Sequence, residues 1–286
     1  MRRLARIYPL HLATLIAAGL LQLTLVGVLH RPPFVLEHND LYHFLLNLTL
    51  SNYVGLQRGM SFNGPSWSIS TELYANLIFF LLIRLRRIRL DAVFLGLVVI
   101  SAILITGLGN GRLDRSGTVL LVQVDLIRTI FGFFTGVLLY VWVIAGRDSA
   151  RGLFADGLFA LTLGLLIHGA LGGFRPLPYA QMAAVFLGFP LLIATAIRSR
   201  LTGRLLRLPP LTWLGDLSYS LYLVHFPVQI LFAVLISARL VSFDFSRPSS
   251  LCVYLAVCLG LAALSHRHLE GPSQARINSW WRGRRP

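Results

Sequence analysis

The chain contains no lysine, and all 26 of its basic residues are arginine. Acidic residues are also scarce, with 11 in 286 positions, and charged residues of both signs make up only 13% of the sequence. Soluble domains carry about 25% charged residues, so the low charge excludes an ordinary soluble domain. A net charge of +15 would suit nucleic acid. The arginines are spread along the chain instead of forming one patch, however, so nucleic acid is not an expected partner.

Cysteine is nearly absent. Cys252 and Cys258 lie six residues apart in one apolar run and cannot pair within a helix, so they predict neither a disulfide nor a metal site. The chain also lacks a G-x-S-x-G motif, a P-loop, a dinucleotide fingerprint and a sequence cluster of metal ligands. His266 and His268 have no third ligand nearby in the sequence, and they are interpreted as solvated. The sequence therefore predicts no bound metal and no bound cofactor.

Long apolar runs separate the few charged residues. Hydrophobic residues make up 56% of the chain, and the mean hydropathy is +0.71. Eight runs are near the length that crosses a bilayer. The predicted spans are Tyr8–Leu29, Trp67–Ile83, Leu90–Leu108, Thr129–Ala145, Leu153–Leu171, Tyr179–Ile197, Leu217–Ile236 and Ser249–Ser265. We therefore expect an all-α fold, a polytopic transmembrane helical bundle of about eight helices.

The connections between these runs complete the predicted domain organisation. The first run is too long for a signal peptide and lacks a cleavage site, so it is predicted to stay in the membrane. An interfacial helix is expected around Leu41–Leu50. An amphipathic segment, Thr118–Arg128, is expected to lead into the fourth span, with Asp125 and Arg128 three residues apart and therefore on one helical face. Residues 1–272 are predicted to form one membrane domain, and residues 273–286 a basic cytoplasmic tail.

The arginines indicate the orientation of the helices. The loops on one side of the predicted bundle hold 18 arginines and those on the other side hold 7, with Arg128 at a boundary. Cytoplasmic loops carry the excess of basic residues, so both termini are predicted in the cytoplasm. No internal repeat is visible, which disfavours a transporter built from inverted halves.

Residues 64–80, GPSWSISTELYANLIFF, place a carboxylate inside an apolar helix. With Ser68 as the N-cap, Glu72 and Asn76 follow at one-turn intervals on the same face. Trp67 is expected at the membrane interface. An ionisable side chain at membrane depth is the usual mark of a functional site. The alternative is that Glu72 lies near the surface and only complements the positive end of the helix dipole.

A second polar stripe lies in residues 215–229, GDLSYSLYLVHFPVQ. Its side chains share one helical face: Ser218, Tyr222, His225 and Gln229. Counting 1.5 Å per residue from each predicted helix start, His225 lies about 12 Å deep from one side of the membrane and Glu72 about 7 Å from the other. Across a ~30 Å core the two are separated by roughly 11 Å. They are therefore predicted to line one channel without forming an acid–base pair, and the alternative for His225 is a neutral histidine bonded to a neighbouring helix.

Arg3 and Arg6 form an R-x-x-R pair at the predicted cytoplasmic end of the first span. Because residues three apart share a helical face, the pair could clamp a phosphate or pyrophosphate. The alternative is ordinary anchoring by positive charge at the cytoplasmic surface.

Taken in order, five motifs resemble the acyltransferase-3 family. They are R-x-x-R with Ile7-Tyr8-Pro9, then P-S-W-S-I-S-T-E-L-Y, Arg128 with F-F-T-G-V-L-L-Y, L-G-D-L-S-Y-S-L-Y-L-V-H-F-P-V, and H-L-E-G-P. The resemblance runs from Arg3 to about Pro272. It implies a polytopic membrane enzyme that O-acylates sugars. Arg3 and Arg6 match the family's arginine pair linked to the acyl donor, Glu72 matches its membrane glutamate, and the late motif supplies Ser218, Tyr219 and His225.

Members of that family usually begin with two further transmembrane helices, the first carrying a histidine proposed as the catalytic base. This chain begins at the R-x-x-R, so we expect an in-frame upstream extension if the protein is active. His11 lies on the first helix here, but nothing in the sequence beyond its residue type recommends it as a substitute.

The expected function is acyl transfer in the lipid bilayer, from cytoplasmic acyl-CoA, first of all acetyl-CoA, to a hydroxyl of a cell-surface or lipid-linked sugar. Glu72 and His225 are the predicted catalytic residues, and Arg3 and Arg6 are predicted to bind the donor. The predicted substrate channel is lined by Trp67, Ser68, Asn76, Ser218, Tyr219 and Tyr222. The alternative is a non-catalytic membrane scaffold or a glycan transporter derived from the same fold.

Overall fold

The computed structural model describes residues 2–35, 37–57, 59–85, 89–109, 118–119, 122–144, 152–173, 179–244 and 246–282. Within them, eight helices are long and apolar enough to cross a membrane, which confirms the predicted all-α polytopic class. These spans are Ala5–Val28, Gly64–Arg84, Leu90–Gly107, Val124–Val143, Leu153–Gly173, Ala180–Arg198, Pro209–Ser237 and Pro248–Ile277. Two short antiparallel strands, β1 (Thr118–Val119) and β2 (Val122–Gln123), precede the fourth span.

The helices are numbered in chain order. They are α1 (Arg2–Leu23), α2 (Leu41–Leu48), α3 (Trp67–Arg84), α4 (Leu90–Gly109), α5 (Val124–Leu139), α6 (Leu153–His168), α7 (Ala180–Ala183), α8 (Phe189–Arg198), α9 (Arg200–Leu205), α10 (Pro209–Ser237), α11 (Pro248–Ser265) and α12 (Gly271–Arg282). Five-residue π-helical turns extend or join several of them, at Thr24–Val28, Tyr140–Ile144, Gly169–Gly173, Ala184–Gly188 and His266–Glu270.

The chain divides into two compact units. Unit 1 consists of Met1–Asn52, Leu56–Trp67 and Trp213–Pro286, and unit 2 of Tyr53–Gly55 and Ser68–Thr212. Unit 1 therefore combines the first span with the last two, and unit 2 holds the spans between them.

In unit 1, α1 and α10 share an apolar core. Ala18, Leu25 and Ile230 are fully or almost fully buried, and Phe226 packs against them. Helix α2 confirms that a helix forms around Leu41–Leu50, and its interfacial position stays a prediction. It begins at Asp40, whose Oδ1 accepts the backbone N–H of His43 at 2.9 Å. That bond and one from the His43 ring hold the pKa of the Asp40 carboxyl below its usual range.

In unit 2, α4 packs along α5 and α6 along α8. Phe94 and Phe134 are buried with ring centroids 5.1 Å apart, and Phe79 lies 5.7 Å from Phe94. Between helices in lipid, close packing replaces the hydrophobic effect as the main attraction, so such aromatic contacts hold α3, α4 and α5 together. On the other side of the unit, Leu161 and Ile103 are exposed, as side chains facing lipid tails would be.

Three predicted boundaries were wrong. Helix α10 begins at Pro209 instead of Leu217, because two prolines fit the first turn of a helix, where no N–H donor is needed. Helix α5 begins at Val124 instead of Thr129, so the described part of the expected amphipathic segment consists of β1, β2 and the first turn of the span. Ser68 is the second residue of α3 and not its N-cap, because the 3₁₀ turn Gly64–Ser66 already starts the helix.

The segment predicted as a basic tail contains helix. Helix α12 continues from α11 through the π turn His266–Glu270 and packs against α1. The division at residue 272 stays a prediction.

Candidate functional site

Unit 1 brings together four of the five sequence motifs, three of them through two tyrosines of α10. In the late motif, the hydroxyl of Tyr219 donates to the carbonyl oxygen of Ile7, at 2.6 Å, in the segment that follows the R-x-x-R. The hydroxyl of Tyr222 donates to the carbonyl oxygen of Pro65, at 2.8 Å, in the P-S-W-S motif. Two side chains predicted to line a channel therefore tie α10 to α1 and to the start of α3.

Pro227 gives rise to a third connection, between the late motif and the loop that precedes the P-S-W-S motif. Proline has no N–H, so within α10 it leaves the carbonyl oxygen of Leu223 without its intrahelical donor. The side-chain Nδ2 of Asn63 donates to that oxygen at 3.2 Å. Next to Asn63, Gly64 lies against α10, since a Cβ there would be in ordinary contact with the Phe226 ring at 3.6 Å and tight only against the flexible end of Met60 at 3.1 Å.

His225 lies on α10 between these contacts and is half-buried. Its Nδ1 lies 2.6 Å from the carbonyl oxygen of Tyr222. A carbonyl can only accept, so Nδ1 carries a proton, and in the neutral ring Nε2 is the nitrogen with the lone pair. The hydroxyl of Tyr254 donates to the His225 carbonyl oxygen at 3.0 Å, which adds a contact from α11. Nε2 is therefore the nitrogen through which a neutral His225 would accept a proton.

His11 is the histidine that sequence reasoning set aside, and it is fully buried on α1. Its Nε2 lies 2.8 Å from the carbonyl oxygen of Asn47, so Nε2 carries the proton. Its Nδ1 has no hydrogen-bond partner among the described residues. A signal was present in the sequence, because an imidazole within an apolar span seldom lacks a polar partner.

Asn47 is the centre of a buried polar network below the P-S-W-S turn. Its Nδ2 donates to the hydroxyl of Ser61 at 2.7 Å, and its Oδ1 accepts from the hydroxyl of Ser66 at 3.1 Å. Asn52 Nδ2 lies 3.0 Å from the Ser66 hydroxyl. All four of these side chains are buried to 1% exposure or less. The network fixes the loop that leads into α3.

The same loop holds strained backbone. Leu50 and Phe62 adopt φ angles of 53° and 46°, a region that bulky residues rarely enter because Cβ crowds the backbone. Such conformations persist where the surroundings over-determine them, and they cluster at functional sites. Here the neighbouring asparagine and serine bonds supply that constraint.

A second buried polar pair lies on the opposite face of α10 from the predicted stripe. The hydroxyl of Ser220 donates to Glu270 Oε1 in a short bond, and both side chains are buried. Oε2 of Glu270 lies 3.5 Å from Nδ1 of His266. The H-L-E-G-P motif thus contributes a buried carboxylate. Its partner, Ser220, was not singled out because the sequence cannot reveal a contact across 50 residues.

The predicted stripe itself is the outer face of α10. Ser218 and Tyr222 are exposed, and His225 and Gln229 are half-buried. The Ser218 hydroxyl donates to the carbonyl oxygen of Gly215 at 2.8 Å, within its own helix. The buried face carries Leu217, Ser220, Leu223 and Val224 instead.

Glu72 belongs to unit 2, where it lies in the second turn of α3 and is exposed. Asn76 donates from Nδ2 to the carbonyl oxygen of Glu72 at 2.8 Å. The neighbouring Thr71 is buried and accepts from the hydroxyl of Thr129 at 2.8 Å. Because Glu72 and His225 fall in separate units, their predicted separation in depth stays a prediction.

An ion pair lies near the start of α5 in the same unit. Arg128 Nη1 lies 3.2 Å from Asp125 Oδ1, and the side chains are only 26% and 10% exposed. The pair expected from the three-residue spacing is therefore present, and it includes the arginine that the family resemblance singled out.

The remaining predicted site residues lie at the start of α1 and the start of α3. Arg6 is exposed, Trp67 and Ser68 are half-buried, and the side chain of Arg3 lies outside the described part of the structure. The roles of Arg3, Arg6, Trp67 and Ser68 stay predictions.

A family model described as an acyltransferase domain matches residues 1–267. The chain belongs to the acyltransferase-3 family. It is 27% identical over 239 residues to a protein of Komagataeibacter xylinus provisionally named membrane-bound transacylase BcsY, a match that covers 79% of this chain and 57% of that relative. No solved structure matches. With its eight apolar helices, this family member is a multi-pass membrane protein.

Proposed function

We propose that this chain is a membrane-bound acyltransferase that moves an acyl group from cytoplasmic acyl-CoA to a hydroxyl of a cell-surface or lipid-linked sugar. The acyl group proposed first is acetyl, and the location is the bacterial inner membrane. The family match over residues 1–267 supports the transferase class. The structural observation that carries the proposal is that three family motifs meet at α10, the helix that carries His225.

The chemistry follows from the tautomer of that histidine. Nε2 of His225 takes the proton of the acceptor hydroxyl. At the same time the oxygen of that hydroxyl attacks the thioester carbonyl carbon. The carbon–sulfur bond then breaks, the new ester forms, and the coenzyme thiolate takes up the proton. Glu72 acts on a different portion of the bound substrate, and Arg3 and Arg6 hold the phosphates of the donor.

The test is acetyl transfer in membranes that contain the chain. Labelled acetyl-CoA is added, and label is measured in the lipid-linked and polysaccharide fractions. His225→Gln keeps a side chain of similar size but removes the base, so transfer should fall by about 10²–10⁴-fold. His268→Gln is the matched control, because His268 is exposed on the π turn between α11 and α12.

Two outcomes would contradict the proposal. Equal transfer by the parent and His225→Gln would remove His225 from the chemistry. No transfer by a correctly inserted parent would favour the scaffold or transporter alternative.

A further inference from the structure

Three metal-ligand side chains lie together between α1 and α2 in unit 1. His38, Asp40 and His43 each offer one ligand atom, and these atoms lie within 4.8 Å of one another. Asp40 and His43 share a helical face because they are three residues apart across the start of α2. His38 is held beside them by its backbone N–H, which donates to the carbonyl oxygen of Met60 at 3.1 Å.

The three side chains are positioned by contacts with one another. Nδ1 of His43 lies 2.8 Å from Oδ1 of Asp40, the same oxygen that caps α2. The rings of His38 and His43 stack with centroids 4.4 Å apart and planes only 5° apart. Because Nδ1 of His43 and Oδ1 of Asp40 already lie at hydrogen-bond distance, an ion bound by both atoms would take the place of the proton between them.

His43 is the buried member of the cluster and is only 6% exposed. Its Nδ1 faces Asp40, so this nitrogen is the one placed to bind an ion together with the carboxylate. Its Nε2 lies on the other side of the ring and makes no hydrogen bond among the described residues.

The cluster also opens onto a cavity. His38 and Asp40 line a space of about 680 Å³, whose other walls include Leu20 and Phe44. An ion held by three protein ligands beside a cavity keeps a coordination position for water or another oxygen ligand. That pattern distinguishes catalytic zinc sites from closed structural ones.

We propose that His38, Asp40 and His43 form a binding site for a divalent transition-metal ion, with Zn²⁺ the preferred ion. Two imidazoles and one carboxylate suit zinc, whereas magnesium and calcium prefer ligand sets made of oxygen. Bonds of about 2.0–2.1 Å bring zinc ligands to roughly 3.4 Å from one another. Binding therefore rotates the two rings out of their stack and closes the cluster.

The test is zinc binding by the purified full chain in detergent, after removal of bound metal. Equilibrium dialysis against Zn²⁺ alone, followed by elemental analysis, should give one tight equivalent per chain. His38→Gln and Asp40→Asn should each lower the affinity by at least the roughly 10–100-fold seen when a supporting residue is removed. The double variant His266→Gln and His268→Gln is the control, because it removes two histidines from elsewhere in unit 1.

The variants are chosen so that they should lose zinc binding without losing the fold. Asn can still cap α2, and His38 is a half-buried loop residue, so circular dichroism and size-exclusion profiles should match the parent. Co²⁺ gives a second readout, since four-coordinate Co²⁺ should add intense visible absorption to the parent and not to His43→Gln.

The proposal is overturned if the parent holds no stoichiometric zinc, or if only the His266 and His268 double variant loses it. No acyl donor is present in these measurements, so their outcome is independent of the proposed acyltransferase activity.

Discussion

At the scale of single residues, the surroundings of Glu72 are compatible with two interpretations of its role. It lies in the second turn of α3 and is exposed, although it is part of a predicted membrane span. A carboxylate there either takes part in the chemistry or only complements the helix dipole, which is worth about 0.3–1 kcal/mol.

Glu72→Gln distinguishes these readings. Gln is nearly isosteric and can still form hydrogen bonds, so only the charge and the titratable proton are lost. We expect acetyl transfer to fall below detection in membranes while insertion and protein level stay at the parental value. Asn76→Ala, one turn further along α3, is the control for general damage to the helix. Parental turnover by Glu72→Gln would show that the carboxylate is structural.

Arg3 and Arg6 permit a test based on the shape of the charged group. Lysine keeps the positive charge but lacks the planar fork that grips a phosphate with two parallel bonds. Arg3→Lys or Arg6→Lys should therefore weaken acetyl-CoA binding to the purified chain by about 1–3 kcal/mol, the value of a charge-assisted hydrogen bond.

Orientation in the membrane should not change in these variants, because it depends on the number of basic residues. Arg207→Lys is the control, since Arg207 is exposed in the short segment before α10. Binding at the parental level by both Arg3→Lys and Arg6→Lys would reduce the R-x-x-R to an anchor.

At the scale of elements, α10 depends on a side chain from outside itself. Pro227 removes one intrahelical donor, and Asn63 replaces it at the Leu223 carbonyl oxygen. In a membrane-spanning helix this replacement matters, because no water is present to satisfy the carbonyl. The loop before the P-S-W-S motif therefore stabilises the helix that carries the late motif.

A double-mutant cycle tests that dependence. Asn63→Ala should lower the free energy of unfolding by about 1–3 kcal/mol, because it leaves a buried acceptor without its donor. Pro227→Ala restores the N–H of residue 227, so Asn63→Ala should cost less in that background. The coupling should fall within the roughly 0.5–3 kcal/mol found for residues that share a partner.

The parent, the two single variants and the double variant are unfolded with denaturant in detergent micelles. Tryptophan fluorescence reports the unfolding. Additive losses would mean that Asn63 stabilises the loop for another reason, such as the backbone strain at Phe62.

The elements also show how far sequence reasoning extends. Hydropathy located all eight spans because each is a continuous apolar run, and spacing identified the Asp125–Arg128 pair because its partners are local. Sequence reasoning misplaced the helix starts near Pro209 and Ser68, where proline starts a helix before the apolar run begins. It also missed Asn47 and Glu270 as buried polar centres, because their partners lie far away in the sequence.

At the scale of the whole molecule, the number of spans and the arginine count together set the topology. Eight crossings, the number of spans among the described residues, place the start of α1 and the end of α12 on the same side of the membrane. The side itself follows from the arginines, 18 in one set of loops and 7 in the other. The short connections that follow α3 and α8 belong to the arginine-rich set, and the connection between α10 and α11 belongs to the other.

Reporter fusions test this topology directly. Fusions after Leu85 and after Arg204 should show cytoplasmic activity, and fusions near Gly111 and Asp244 should show activity on the outer side. The orientation depends on the arginine excess, so replacing Arg198, Arg200, Arg204 and Arg207 with Gln should weaken retention of that loop and give the Arg204 fusion a mixed signal. A matched variant with the exposed Arg239 and Arg247 changed to Gln should keep the parental pattern, because it deepens the same bias. An inverted reporter between two that agree would show that one of the eight helices does not cross the membrane.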